Sequence, residues 1–260
     1  MMIKLCKIST LILAILLCCA LPISASARGY EWYCIRQKAH RRPPIPSEFA
    51  FMEELDAYYI DKKHTEGSED KVVYLTFDAG YENGNVAKTL DILRDNQVPA
   101  AFFVLAHLIR ANGDLIERMT NEGHLVCNHT ASHPNLSLAS RDKIEAEIRT
   151  LESEYKELTG KEMPQYFRPP EGSFSRNLLQ CASELGYKTV FWSLAYADWD
   201  NNKQPSRDTA MRTIMDNMHN GAVILLHPTS ATNVAILPEV IKELRNQGYR
   251  FGTLDELCAR

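Results

Sequence analysis

The sequence lacks the marks of several functional classes. No CxxC spacing occurs among its seven cysteines, so neither a zinc ribbon nor a dithiol exchange motif is written in it. No Lys/Arg cluster other than Arg41-Arg42 suggests a basic stripe, and the formal charge of −4 argues against a nucleic acid partner. No apolar run reaches the roughly 20 residues that cross a bilayer. The longest, Leu11 to Ile23, falls short and contains Pro22. No internal repeat or low-complexity segment stands out, which removes the solenoids.

The chain is nonetheless 45% hydrophobic over 260 residues, enough to bury a substantial core, and a single α/β barrel of about 200–250 residues is the default domain count. The first residues place Lys4 and Lys7 before the apolar run and end it in Ala25-Ser26-Ala27, the pattern of an export signal, 1–27. Cleavage is expected after Ala27. The short run disfavours an uncleaved anchor, and Cys18 and Cys19 lack the preceding small residue of a lipoprotein site. The mature chain would then be secreted or held in the cell envelope, with no stable membrane span. It would carry two fewer lysines, and it would retain Cys34, Cys127, Cys181 and Cys258. Four cysteines in an exported chain allow three pairings. Cys34 and Cys258, near the two mature ends, make a terminal clasp conceivable. Cys127 and Cys181 read as small buried apolar residues on a strand and a helix.

Residues 28–70 are irregular, broken by RRPPIP at 41–46 and HTEGSED at 64–70, and read as an N-terminal extension on a main domain, 71–260. Within the extension a helix is expected over 47–59, with Phe51, Met52, Leu55 and Tyr59 on one face. From Val72 onward, short β-branched or aromatic runs alternate with helix-period stretches such as 141–159, where Ile144, Ile148, Leu151, Tyr155 and Leu158 recur at three and four. Repeated βα units imply a parallel sheet covered on both faces. Seven strands are expected, at about 72–78, 99–105, 124–128, 165–168, 188–194, 222–227 and 250–252. They suggest a barrel or a partly closed one, and an open doubly wound sheet would give the same local signals.

In either architecture functional groups gather at the carboxyl ends of the strands. Five expected strand ends finish in chemically able residues: Asp78; Asn128-His129 with His133; Arg168; Asp198-Trp199 after a short loop; and His227. Each has a bland reading. A lone Asp after a strand is often a turn or cap residue, two histidines four apart are as often surface groups, and an arginine before two prolines can simply pair with an acid. His227 is harder to dismiss, because a buried strand rarely ends in an ionisable group without a partner. Two imidazoles suit a divalent metal but fall short of the usual three-ligand catalytic site. Together, a carboxylate, metal-type histidines, an arginine, a second acid and another histidine at one mouth form the inventory of metal-assisted hydrolysis.

Five motifs in order, TFDAG (76–80), HTASH (129–133), RPPEG (168–172), ADWD (197–200) and LLH (225–227), make residues 72–257 resemble the polysaccharide deacetylases of the NodB-homology type, carbohydrate esterase family 4. TFDAGYENG and FWSLAYADWD are most similar to the branch of muramic acid de-N-acetylases acting on peptidoglycan. The resemblance implies an irregular (β/α) barrel and an exported N-deacetylase of cell-wall glycan. It implies that Asp78 is the general base and His227 the general acid, with Arg168 orienting the base and Asp198 tuning the acid. His129 and His133 would bind a divalent metal, zinc by expectation. The backbone N–H of Glu171 would face the oxyanion, and Trp199 and Leu225 would wall the acetyl pocket. One position departs from the family pattern: Ala79 replaces the aspartate that is normally the third metal ligand. Either the metal is held by the two histidines with Asp78 or substrate completing its shell, or Asp78, His227 and the backbone donor work with little or no metal. The expected partner is peptidoglycan, with N-acetylmuramic acid the sugar, and the expected state is a monomer. The alternatives are a chitin or N-acetylglucosamine deacetylase, or a glycan-binding relative that has lost turnover through Ala79.

Overall fold

A computed structural model describes residues 28–259, so the expected signal segment, 1–27, lies outside the described residues. The extension contributes β1 (Tyr30–Glu31), a 3-10 helix (Ser47–Leu55) and β2 (Ala57–Tyr58). The domain proper runs β3 (Lys71–Ala79), α1 (Val86–Asp95), β4 (Ala101–Val104), α2 (Ala106–Ala111), α3 (Gly113–Asn121), β5 (Leu125–Asn128) and α4 (Arg141–Thr159). It continues through β6 (Tyr166–Phe167), β7 (Ser173–Phe174), α5 (Arg176–Glu184), β8 (Lys188–Val190), α6 (Arg207–Asp216), β9 (Ala222–Leu226), α7 (Ala231–Asn246), β10 (Tyr249–Phe251) and α8 (Leu254–Leu257).

The seven expected strands are β3, β4, β5, β6, β8, β9 and β10, all paired in parallel. Strand β3 is the spine, because β9 pairs with Val73–Phe77, β4 with Thr76–Ala79 and β10 with Lys71–Val73. The sheet then curls through β4, β5, β6 and β8. Past β8 the chain meets β9: the N–H groups of Ser193 and Leu194 donate to the Val223 carbonyl at 2.9 and 3.2 Å, and Leu225 N–H donates to the Leu194 carbonyl at 2.9 Å. That closure makes an irregular barrel and rules out the open doubly wound sheet. The thin side is at β6, where a single register pair, Asn128 with Phe167, joins it to β5.

Alternation along β3 accounts for the two faces. Val73, Leu75, Phe77 and Ala79 pack outward in the core beneath the helices, where Phe77 stacks on Phe102 at 5.0 Å. Val72 and Tyr74 point the other way, into the barrel. Thr76 and then Asp78 continue that inner face, so strand period alone carries the carboxylate to the mouth. Helix α4 spans the expected residues and buries Ile144, Ile148, Leu151 and Tyr155. Ser140 caps it by accepting from Lys143 N–H, and Gly160 at φ 70° ends it.

Two expectations fail. Residues 47–59 do not form one helix: a 3-10 turn ends at Asp56, which is left-handed (φ 51°), and Ala57–Tyr58 then pair with β8. Met52 is buried as expected, but Phe49 is buried beside it while Phe51, Leu55 and Tyr59 are only half-buried. The four cysteines are free thiols and no Cys34–Cys258 clasp forms. Cys34 lies by the Ala195 backbone beyond β8, whereas Cys258 packs with Val72 at the start of β3. Cys127 and Cys181 are buried on β5 and α5 as expected.

Candidate active site

The carboxyl ends of the strands open into a groove of about 700 Å³. Asp78, His129, His133, Glu171, Trp199, Leu225 and His227 all line it, and Arg168 and Asp198 stand directly behind.

Arg168 follows β6 and is fully buried, which is tolerable only because its donors are used. Nη1 donates to Asp78 Oδ1 at 2.7 Å, Nη2 to Thr76 Oγ1 at 2.9 Å and the Phe191 carbonyl at 3.3 Å, and Nε to the Val190 carbonyl at 2.8 Å. The guanidinium also lies over the Phe103 ring, 4.1 Å from its centre. Burial pushes the Asp78 carboxyl up, but the Arg168 charge, with smaller help from His129 and His227, outweighs it and holds the group below the usual carboxylate range. Asp78 is therefore an ionised carboxylate at the groove with one oxygen committed to Arg168.

Across the groove His227 follows β9. Its Nδ1–H donates to Asp198 Oδ1 at 2.7 Å and its backbone N–H to Asp198 Oδ2 at 2.8 Å. The Asp198 carboxylate is wholly buried and also accepts from the Asn233 side chain, which donates a second bond to the His227 carbonyl. Gln204 holds the Asp198 carbonyl at 2.7 Å. Burial opposes charge on His227, yet the hydrogen bond and charge of Asp198, with Asp78 beyond, raise its pKa above the ordinary value. With Nδ1 fixed on Asp198, the other nitrogen, Nε2, carries the proton available to the groove.

The two remaining histidines sit on a tight loop. Thr130 and His133 are left-handed (φ 75° and 60°), a conformation that costs a non-glycine residue about 1–2 kcal/mol. Hydrogen bonds offset that cost. Thr130 N–H donates to Asn128 Oδ1 and His133 N–H to Thr130 Oγ1, both at 2.9 Å, and Ser132 N–H and Oγ–H donate to the Glu147 carboxylate at 2.9 and 2.8 Å. The imidazoles are edge to face, with centres 5.0 Å apart. His129 Nδ1–H donates to the Arg168 carbonyl at 2.8 Å, which leaves the Nε2 lone pair toward the groove, 3.5 Å from Asp78 Oδ2. Burial lowers the His129 pKa to about 4, so the ring is neutral.

That tautomer is the one a metal ligand needs, but the donor set is incomplete. Among the described residues no group of three or more His, Cys, Asp or Glu is arranged to hold a metal ion. Ala79, where the resemblance led us to expect a third ligand, is fully buried on the outward face of β3. The protein offers two imidazoles in place of a closed three-donor site.

Glu171 and Gly172 make the remaining wall. They are successive left-handed residues (φ 60° and 72°) after Pro169-Pro170, and a Cβ on Gly172 would come within 2.8 Å of the Trp192 ring. Trp199 is 63% exposed, whereas Leu225 is buried.

The chain is similar over most of its length to proteins of known activity. A family model for polysaccharide deacetylase matches residues 65–190. The peptidoglycan-N-acetylmuramic acid deacetylase PdaA of Bacillus subtilis is 36% identical over 93% of this chain and 94% of its own. The chain belongs to the polysaccharide deacetylase family. A peptidoglycan-N-acetylglucosamine deacetylase of Bacillus cereus is 35% identical to this deacetylase over 92% of the chain and 83% of its own length. The solved structure of Bacillus subtilis PdaA, a family 4 carbohydrate esterase, superposes with a TM-score of 0.83 at 37% identity, covering 89% of this chain and 97% of that one. The irregular barrel of seven parallel strands is thus that of family 4 esterases.

Sequence reasoning missed the supports of this deacetylase's site. Asn233 at a helix start, Gln204 on a loop and Glu147 on α4 carry no sequence signal that marks them as supports. Thr76, within a strand motif already singled out, was the one with a signal: a hydroxyl on the inner face two residues before Asp78.

Proposed function

We propose that the chain is an exported N-deacetylase of cell-wall peptidoglycan that acts on N-acetylmuramic acid. One observation carries the reading: an Arg168-held carboxylate and an Asp198-held imidazole face each other across a single groove. Its support from similarity is the 36% identity to PdaA over nearly the whole of both chains. The relative named for N-acetylglucosamine matches almost as well, so the sugar is the finer part of the proposal.

The acetyl methyl packs against Trp199 and Leu225, with its carbonyl oxygen toward the Glu171 N–H. Asp78 takes a proton from water as its oxygen attacks the carbonyl carbon, and the charge that develops on the carbonyl oxygen falls on the backbone donor. His227 gives its Nε2 proton to the nitrogen, the C–N bond breaks, and acetate and a free sugar amine leave. Arg168 holds Asp78 ionised and aligned, and Asp198 holds His227 protonated. A divalent cation, with zinc best suited to paired imidazoles, would have His129 and His133 as its protein donors. In this proposal residues 1–27 are the removed signal, 28–70 the extension and 71–260 the catalytic domain.

Acetate release from defined peptidoglycan fragments tests it. Wild type should release acetate and Asp78→Asn should not. Equal release by both removes the catalytic assignment, and release only from N-acetylglucosamine oligomers removes the choice of sugar.

A further inference from the structure

The N-terminal extension does more than cover the barrel. The family match begins at residue 65, yet residues 30–32 touch the turn that carries the Glu171 N–H. Strand β1 pairs antiparallel with β7, Tyr30 opposite Phe174 and Glu31 opposite Ser173, immediately after that turn. Trp32 N–H donates to the Gly172 carbonyl at 2.9 Å, and its indole N–H donates to the Trp192 carbonyl at 2.9 Å. The Ser173 hydroxyl, itself buried, lies 2.9 and 2.8 Å from the two oxygens of the Glu31 carboxylate. The Trp32 ring packs on Phe191 at 5.1 Å and on Tyr59 at 5.0 Å, which anchors the strand to the barrel.

The turn needs such anchoring. Two consecutive left-handed residues, one of them the non-glycine Glu171, are intrinsically strained, and the turn's own bonds are few: Gly172 N–H to the Pro169 carbonyl at 3.2 Å, and Ser173 N–H to Pro170. An oxyanion donor acts only when held within hydrogen-bond reach of where the charge develops, so an ångström of drift removes most of its effect. We infer that Glu31, Trp32 and Ser173 are positioning residues: the extension clamps the Glu171–Gly172 turn so that its backbone N–H is aimed before substrate arrives. This rests on the deacetylase reading and on Glu171 N–H as the oxyanion donor.

The test compares full-length Ser173→Ala, Glu31→Ala, Trp32→Phe and the conservative Ser173→Thr. Three readouts are kcat and KM for acetate release, Tm, and affinity for a phosphonamidate analogue of the acetamide, whose anionic oxygen occupies the oxyanion position. The first three variants should lose about tenfold in kcat and in analogue affinity together, with KM within about twofold, since full loss of one such donor costs about 100-fold or more. Ser173→Thr, which keeps the hydroxyl, should recover most of the loss. Unchanged kcat overturns the inference, as does a kcat loss that follows Tm while the folded fraction binds the analogue normally. No acetate from wild type overturns the deacetylase reading and this inference with it, whereas an active wild type with indifferent variants overturns this inference alone.

Discussion

Replacing Arg168 by methionine tests the electrostatic core of the site. The side chain is fully buried and supplies four hydrogen bonds, to Asp78, Thr76 and the carbonyls of Val190 and Phe191. Methionine fills much of the volume over Phe103 but leaves Asp78 without its cation, and breaking a buried pair by removing one partner costs about 3–5 kcal/mol. Asp78 can limit that cost by taking a proton. In the wild type its pKa is depressed, so the pair's contribution is complete above the unfolded value of about pH 3.9 and is lost only as pH falls through the lower folded value. Without Arg168, burial is left as the largest influence and acts in the opposite direction, which raises the carboxyl above its ordinary value. Two measurements follow. Urea unfolding at pH 7 should show a loss of about 3–5 kcal/mol. The acid limb of kcat/KM should move to higher pH, because the base is then protonated where the wild type is ionised. The double variant Arg168→Met/Asp78→Asn should lose less stability than the sum of the two single changes, by at least about 1 kcal/mol, because the pair is coupled. A methionine variant within about 1 kcal/mol of wild type, with an unmoved acid limb, would refute the reasoning.

In the proposed mechanism the opposite limb belongs to His227: its pKa is raised, so the proton it would donate is present at low pH and lost as pH rises through the raised value. Asp198→Asn should move that limb to lower pH and cut kcat by about 100-fold or more, read from a pH–rate profile. His124 is buried with no hydrogen-bond partner for either ring nitrogen among the described residues, and burial lowers its pKa. The unfolded chain takes up a proton near pH 6.5 that the folded chain resists, so wild-type stability should fall as pH drops below that value. His124→Leu should blunt that fall and gain about 1 kcal/mol at pH 8, measured by urea unfolding.

Much of the fold was legible because the strands from β3 to β9 are buried on both faces, which leaves apolar runs that need no alternation, and because α4 carries a cap, an apolar period and a glycine stop. The extension was not. Its apolar residues have helical spacing, but Asp56 turns left-handed and hands Ala57–Tyr58 to the edge of β8, a tertiary outcome that local propensity does not encode. Strands β1 and β7, two residues each, carry no period at all. The proposed reacting groups were readable as ionisable residues at strand ends. Their supports were not, since Asn233, Gln204 and Glu147 are distant in sequence and acquire partners only when α7, the 198–205 loop and α4 close on the mouth. Ala79 was visible as a missing carboxylate. Its burial on the outward face of β3 is what the structure adds.

The central claim is hydrolysis of the acetamide on muramic acid, and mass spectrometry of muropeptides after incubation with the wild-type chain reads it directly. Fragments that have lost one acetyl group from the muramic residue are expected, with none lost in the Asp78→Asn control. Muropeptides of unchanged mass, or acetyl lost from glucosamine alone, would contradict it.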